Sequence, residues 1–145
     1  MELVLLSIVL IAAGHLAGAT LLYLNHRFIF HGSIGRFSWA RRYRQLHTNH
    51  HRYAFSPEAD EFISVPLWGK LMLSVAMITA GFLFSWMFAL GLFSFAMTYS
   101  IHHWRVHHGM SSGSAHHHMS HHYKANTNFS GVYPVIDKIF GTYEK

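Results

Sequence analysis

Long apolar runs alternate along this chain with short polar stretches dense in histidine. The first run, Leu3 to Leu24, carries no formal charge. As a helix it would rise about 33 Å, enough for a hydrocarbon core of about 30 Å. A cleaved signal peptide would start with basic residues and a shorter apolar stretch, whereas Glu2 is acidic. The run is therefore read as a retained span over about residues 3–24. Within it, Gly14 and Gly18 form a small-xxx-small pair that suits close approach of a second helix. His15 lies mid-run and reads as a histidine bonded to a neighbouring helix.

From Leu71 to Trp104 there is no Asp, Glu, Lys or Arg. A single helix of that length would reach about 51 Å, too long for one crossing. Trp68, Trp86 and Trp104 recur at a spacing of 18 residues, and tryptophan favours membrane–water interfaces. Two legs follow, at about 67–84 and 87–104, each about 27 Å long. Gly81 and Gly91 flank the tip and would ease the turn. Phe82, Phe84, Phe93, Phe95 and Met97 are candidates for an apolar cavity wall. The expected fold is thus an all-α integral membrane protein, a single domain over 1–145, with about three transmembrane helices and a histidine-rich helical cap.

The polar pieces are read as short helices. Residues 36–51 mix arginine with Phe37, Trp39, Tyr43 and Leu46, as a basic helix on a membrane surface or an ordinary solvated helix would. Ser56-Pro57-Glu58 resembles a helix start. Pro134 is expected to open a last helix, with Val135, Ile136, Ile139 and Phe140 on one face and Gly141 as its stop. No strand pattern or internal repeat stands out.

Composition narrows the classes. Hydrophobic residues make up 51% and charged residues 12% of the 145, which excludes a disordered chain. Without cysteine there is no disulfide scaffold, zinc-thiolate module or iron–sulfur cluster. The net charge of +5 does not indicate nucleic acid, because all 11 Lys and Arg lie outside the two apolar regions. In a three-span arrangement they fall on one side. The positive-inside rule then puts the N-terminus outside and the polar segments in the cytoplasm, with a bacterial inner membrane expected rather than the endoplasmic reticulum.

Histidine carries the chemistry, with 15 occurrences. The groups are His26 and His31; His47, His50 and His51; His102, His103, His107 and His108; and His116 to His118 with His121 and His122. Positions i, i+3 and i+4 share a helix face. HTNHH and HMSHH should therefore each project three imidazoles from one side, and His103 with His107 should project two. His26 and His31 are five apart, about 140° on a regular helix, so the helix should end between them or each should serve a different metal. SSGSAHHHMSHH resembles an affinity tag, yet a plausible helix follows it. A pH sensor would leave many imidazoles repelling once protonated. A metal relieves that repulsion, and imidazole suits zinc, copper, iron and nickel. Ten ligands are too many for one ion, so two metals are expected. Their site would face the membrane, where a lipid chain can enter from the bilayer.

The order HRFIFH, HTNHH, HWRVHH, HMSHHY and a closing VIDKIFGTY resembles the fatty acid hydroxylase/sterol desaturase superfamily of membrane di-iron oxygenases, from about Asn25 to Tyr143. The resemblance implies two iron ions, with zinc an alternative in purified protein, that activate O2 to oxidise a lipid C–H bond. The implied ligands are His26, His31, His47, His50, His51, His103, His107, His118, His121 and His122, with Asp60 behind a ligand. His102, His108 and His117 are ambiguous, because extra histidines leave the register of the last two boxes open. The chain is shorter than eukaryotic members, and no cytochrome b5 domain or nicotinamide fingerprint accompanies the boxes. Electrons would then come from a separate ferredoxin or cytochrome b5-type donor. HRFIFHG also resembles beta-carotene hydroxylases, while VIDKIFGTY favours the fatty acid hydroxylase side over a carotenoid or sterol activity. A non-enzymatic membrane metal-binding or transport protein is the reading from another class, but among the histidines only His15 lies deep in a span.

Overall fold

The computed structural model describes residues 1–56, 66–110 and 114–145, and among them all regular structure is helical. Helix α1 spans Glu2–Leu24 and continues into a π-helical turn, Asn25–Phe30. A 3-10 turn at Ile34–Arg36 precedes α2, Ser38–Tyr53. Then come α3 (Leu67–Leu83), α4 (Trp86–His107), α5 (Ala115–Tyr123) and α6 (Pro134–Ile139). The helix start expected at Pro57 and Glu58, and Asp60, lie outside the described residues. The chain divides into two compact units, Met1–Ala19 with Val65–Ser100 and Thr20–Ser64 with Ile101–Lys145.

In the first unit α1 crosses α4 through glycines. A Cβ on Gly14 would strike the Phe88 carbonyl, and one on Gly91 would strike that of Ile11. One on Gly18 would sit 2.9 Å from the Phe95 ring. The small-xxx-small pair therefore does bring a second helix to backbone contact. His15 follows the same crossing, with Nδ1 2.7 Å from Ser94 Oγ and its ring edge-on to Phe95.

The hairpin break falls where the tryptophan spacing put it, between Leu83 and Trp86. Only one of its glycines works as expected. Gly81 lies inside α3 and leaves room for the Trp86 ring, and Gly91 belongs to the α1 crossing. Gly81 thus eases the fold-back at the turn, and Gly91 serves elsewhere. Of the five expected cavity-wall residues, Phe95 is core, while Phe82, Phe84, Phe93 and Met97 are exposed.

Among the described residues, one helical run, Glu2–Phe30, is long and apolar enough to cross a membrane. Helix α3 is a shorter apolar helix. Helix α4 has the length, but polar residues and histidines fill its last turns. Leu3, Leu6, Val9, Leu71, Val75 and Phe82 are all more than half exposed. So much uncovered aliphatic surface marks a face that meets something other than water.

The second unit packs α6 and its flanks against the end of α1. Tyr23 is fully buried, stacked on Phe140 at 4.7 Å, with its hydroxyl 3.0 Å from Thr142 Oγ1. Pro134 opens α6, and Gly141 ends it at φ +67. The buried face of α6 is Ile136 with Asp137, whereas Val135, Ile139 and Phe140 are exposed. Aliphatic character therefore did not mark the inward side, because an acidic residue takes that place.

Candidate metal centre

Two sets of imidazoles converge in the second unit. His26, His31, His47, His51 and His121 form one group, and His50, His107, His118 and His122 form the other. Each HxxHH helix serves both. Helix α2 gives its i, i+4 pair, His47 and His51, to the first group and His50 to the second. Helix α5 does the reverse, with His118 and His122 in the second group and His121 in the first. The three imidazoles of each motif are thus split rather than held together. His103 and His107, one turn apart near the end of α4, approach the second group; His103 Nε2 lies 3.1 Å from His50 Nε2.

His26 and His31 reach the same group by a route that α-helical geometry excluded. The chain between them is a π-turn, closed by the His31 N–H donating to the His26 carbonyl at 3.1 Å. An i→i+5 turn brings residues five apart over one another. Their ring centroids lie 5.1 Å apart, and both Nε2 atoms reach His47 Nε2, at 3.0 and 2.9 Å. Phe30, inside the same turn, stacks on the His47 ring at 4.5 Å. The regular α-helix ends at Leu24 and the π-turn at Phe30, so the expected end does fall between the two histidines, and both join one group.

The spacing of the nitrogens fits a bound cation. Three Nε2 atoms, of His26, His31 and His51, lie 2.9–3.0 Å from that of His47. One imidazole nitrogen can share only one proton, so the remaining lone pairs repel unless a cation lies between them. Bonds of about 2.1 Å at right angles separate neighbouring ligand nitrogens by about 3.0 Å, against about 3.4 Å for a tetrahedron. The same separation of 3.1 Å links His118 to His107 and to His122. Among the described residues neither group contains a carboxylate or thiolate. An all-imidazole donor set suits iron, zinc, copper or nickel.

The fatty acid hydroxylase profile matches residues 11–142, nearly the whole chain. The chain belongs to the fatty acid hydroxylase family. This family lies within the fatty acid hydroxylase/sterol desaturase superfamily. No curated protein and no solved structure matches it.

In this chain the environment keeps the clustered imidazole nitrogens neutral, as metal binding would demand. Burial, reinforced by repulsion from His121 and His51, lowers His31 to about 3. Burial, with His121 and His107 adding to it, lowers His51 to about 4. His121 also falls to about 4, chiefly through burial. His47, His50, His118 and His122 are all driven well down by burial and then by neighbouring imidazoles. Backbone carbonyls fix the tautomers. Nδ1–H of His26 donates to Phe129 O at 2.5 Å, that of His121 to Thr127 O at 2.6 Å, and that of His107 to Ala54 O at 3.4 Å. Each leaves an Nε2 lone pair facing the group.

The remaining histidines lie outside both groups. His108 is exposed and stacks on Trp104 at 4.1 Å, and His116 is exposed. His102 bonds the backbone of Gly131. His117 is buried, its Nε2 3.0 Å from Asp137 Oδ2 and 3.2 Å from Ser130 Oγ. Asp137, Phe129 and Thr127 had no reading of their own in the sequence. One signal was available for the first: Asp137 is among only six acidic residues and, with Lys138, interrupts the apolar residues of VIDKIF.

Proposed function

We propose that this chain is a membrane di-iron oxygenase that hydroxylates a C–H bond of a fatty acyl or related lipid, with O2 as co-substrate. The observation that carries the reading is the pair of all-imidazole groups in a fatty acid hydroxylase chain. His26, His31, His47, His51 and His121 would hold one ion. His50, His107, His118 and His122 would hold the other, with His103 as a fifth ligand: its ring lies 4.7 Å from that of His50 and 4.8 Å from those of His107 and His118. Two Fe(II) ions bound there would supply the electrons and Lewis acidity that reductive O2 chemistry at an unactivated carbon requires.

The protein's own contribution is position and polarity. Neutral imidazoles leave the cations' charge uncompensated, which favours anionic oxygen ligands. The carbonyls of Phe129, Thr127 and Ala54 orient three of the donors. The carbon oxidised is then selected by where the lipid chain is held.

We further infer three crossings, over about 3–24, 67–84 and 87–104, with the N-terminus outside and the metal groups on the cytoplasmic side of a bacterial inner membrane. The exposed aliphatic surface of α1 and α3 supports a lipid environment. Electrons would come from a separate ferredoxin or cytochrome b5-type protein.

The test joins two measurements. Protein purified under reducing, iron-replete conditions should hold two metal ions per chain. Lipids from cells expressing it should gain a species heavier by one oxygen, absent from cells expressing His50→Ala. One ion or fewer at full loading, or unchanged lipids in cells that hold the loaded protein, would overturn the reading.

A further inference from the structure

The loop that supplies two of the three oriented carbonyls hangs from one buried carboxylate. Asp137 Oδ1 accepts the Phe129 N–H at 2.7 Å and the Thr142 hydroxyl at 2.8 Å. Its Oδ2 accepts the Ser130 N–H at 2.9 Å and the His117 Nε2–H at 3.0 Å. Burial alone would oppose ionisation, but the donors from His117, Ser130 and Thr142 together hold the carboxyl below its usual range. Four donors around two oxygens fill a carboxylate's acceptor sites and leave it no freedom to turn.

The backbone turn that hangs from it lies against the first histidine group, while His117, its other partner, precedes His118 on α5 and belongs to neither group. Phe129 presents its carbonyl to His26. Its ring lies 5.7 Å from His26 and 5.6 Å from both His31 and His121. Two residues earlier, the Thr127 carbonyl takes His121. Between them Asn128 holds a left-handed φ of 56, which asparagine tolerates. Its side chain is tied to Ser120 Oγ and to the backbone of Glu144. The second group's His107 takes its carbonyl from Ala54 instead, outside this loop.

We propose that Asp137 is a positioning residue chiefly for one metal site of the two: by clamping the Phe129–Ser130 turn it aims His26 and His121 at the first ion, whereas its link toward the second runs through His117, which gives no nitrogen to either group. The proposal rests on the two-ion reading above, and its signature is asymmetry between the sites. Ordinary loss of a buried carboxylate would weaken the whole unit alike.

The test is a Co2+ titration of the full-length, metal-stripped protein in detergent, followed by the visible absorption of the bound ion. His31→Ala and His107→Ala identify the spectrum of each site. Wild type should bind two ions. Asp137→Asn puts an amide donor against at least one of the backbone N–H groups. It should bind one ion normally, with the spectrum remaining in His31→Ala, and the other about 10–100-fold more weakly. Equal weakening of both sites, or no change in either, would overturn the proposal. Should the Asn variant not be recovered folded, Thr142→Val removes a single donor and keeps the side-chain shape; the same one-sided loss, smaller in size, is expected, and a symmetric or absent effect refutes the role. A wild type that binds one ion overturns the two-ion reading itself. Asp137 is then judged on that ion, and unchanged affinity in Asp137→Asn refutes its role as well.

Discussion

At the scale of single residues, the histidines separate by what their ring nitrogens touch. His50 and His121 have Nε2 atoms within 3.1 Å of another imidazole nitrogen. Alanine at either should abolish lipid oxidation and release one of two ions. His15 bonds Ser94 within the first unit, so His15→Ala should cost about 1 kcal/mol of stability. It should keep both ions and activity within several-fold, as should His108→Ala and His116→Ala. Metal analysis beside lipid turnover checks the ranking. His15→Ala as damaging as His50→Ala, with metal intact in both, would mean that ligand spacing does not identify the chemistry. The same contrast explains what the sequence could say. Helical spacing marked His47, His50, His51, His118, His121 and His122, because sharing a helix face is a local property. That Asp137 anchors the Phe129 turn was not readable, because those hydrogen bonds join backbone to side chain through a fold that no periodicity encodes.

At the scale of elements, the two HxxHH helices act as complementary halves. Each sends a one-turn pair to one group and its single remaining imidazole to the other. Sequence spacing predicted three donors on one side of each helix, and this holds locally. The division between two groups is decided by which neighbour each side chain meets. Helix α4 meets α1 through Gly14 and Gly91, a contact that the small-residue pair announced. The role given to Gly91 failed for a plain reason. A missing side chain serves a tight turn and a close neighbour equally well, and only the packing partner tells them apart.

At the scale of the whole molecule, the proposed topology rests on charge and apolar length together. Lysine and arginine lie outside the two long apolar regions, and the exposed aliphatic surface of α1 and α3 calls for lipid. Accessibility reporters at residues 45 and 145 should both read cytoplasmic, and one at residue 86 should read external. Opposite-side readings for 45 and 145 would rule out an even number of crossings between them. Among the described residues one helical run is long and apolar enough to cross a membrane, and the helix that would return to the cytoplasmic side spends its last turns carrying histidines.

The π-turn at Asn25–Phe30 limits how the chain can change in length there. Removing one residue between His26 and His31, such as the exposed Phe28, leaves a spacing of four, which an ordinary α-helix puts on one face. Adding one gives a spacing of six, which neither an i→i+4 nor an i→i+5 turn brings together. Deletion of Phe28 should therefore retain two ions by metal analysis, while insertion of an alanine after it should lose one. The segment should accept a deletion and refuse an insertion, a one-way tolerance set by the backbone turn rather than by the exposed side chain removed.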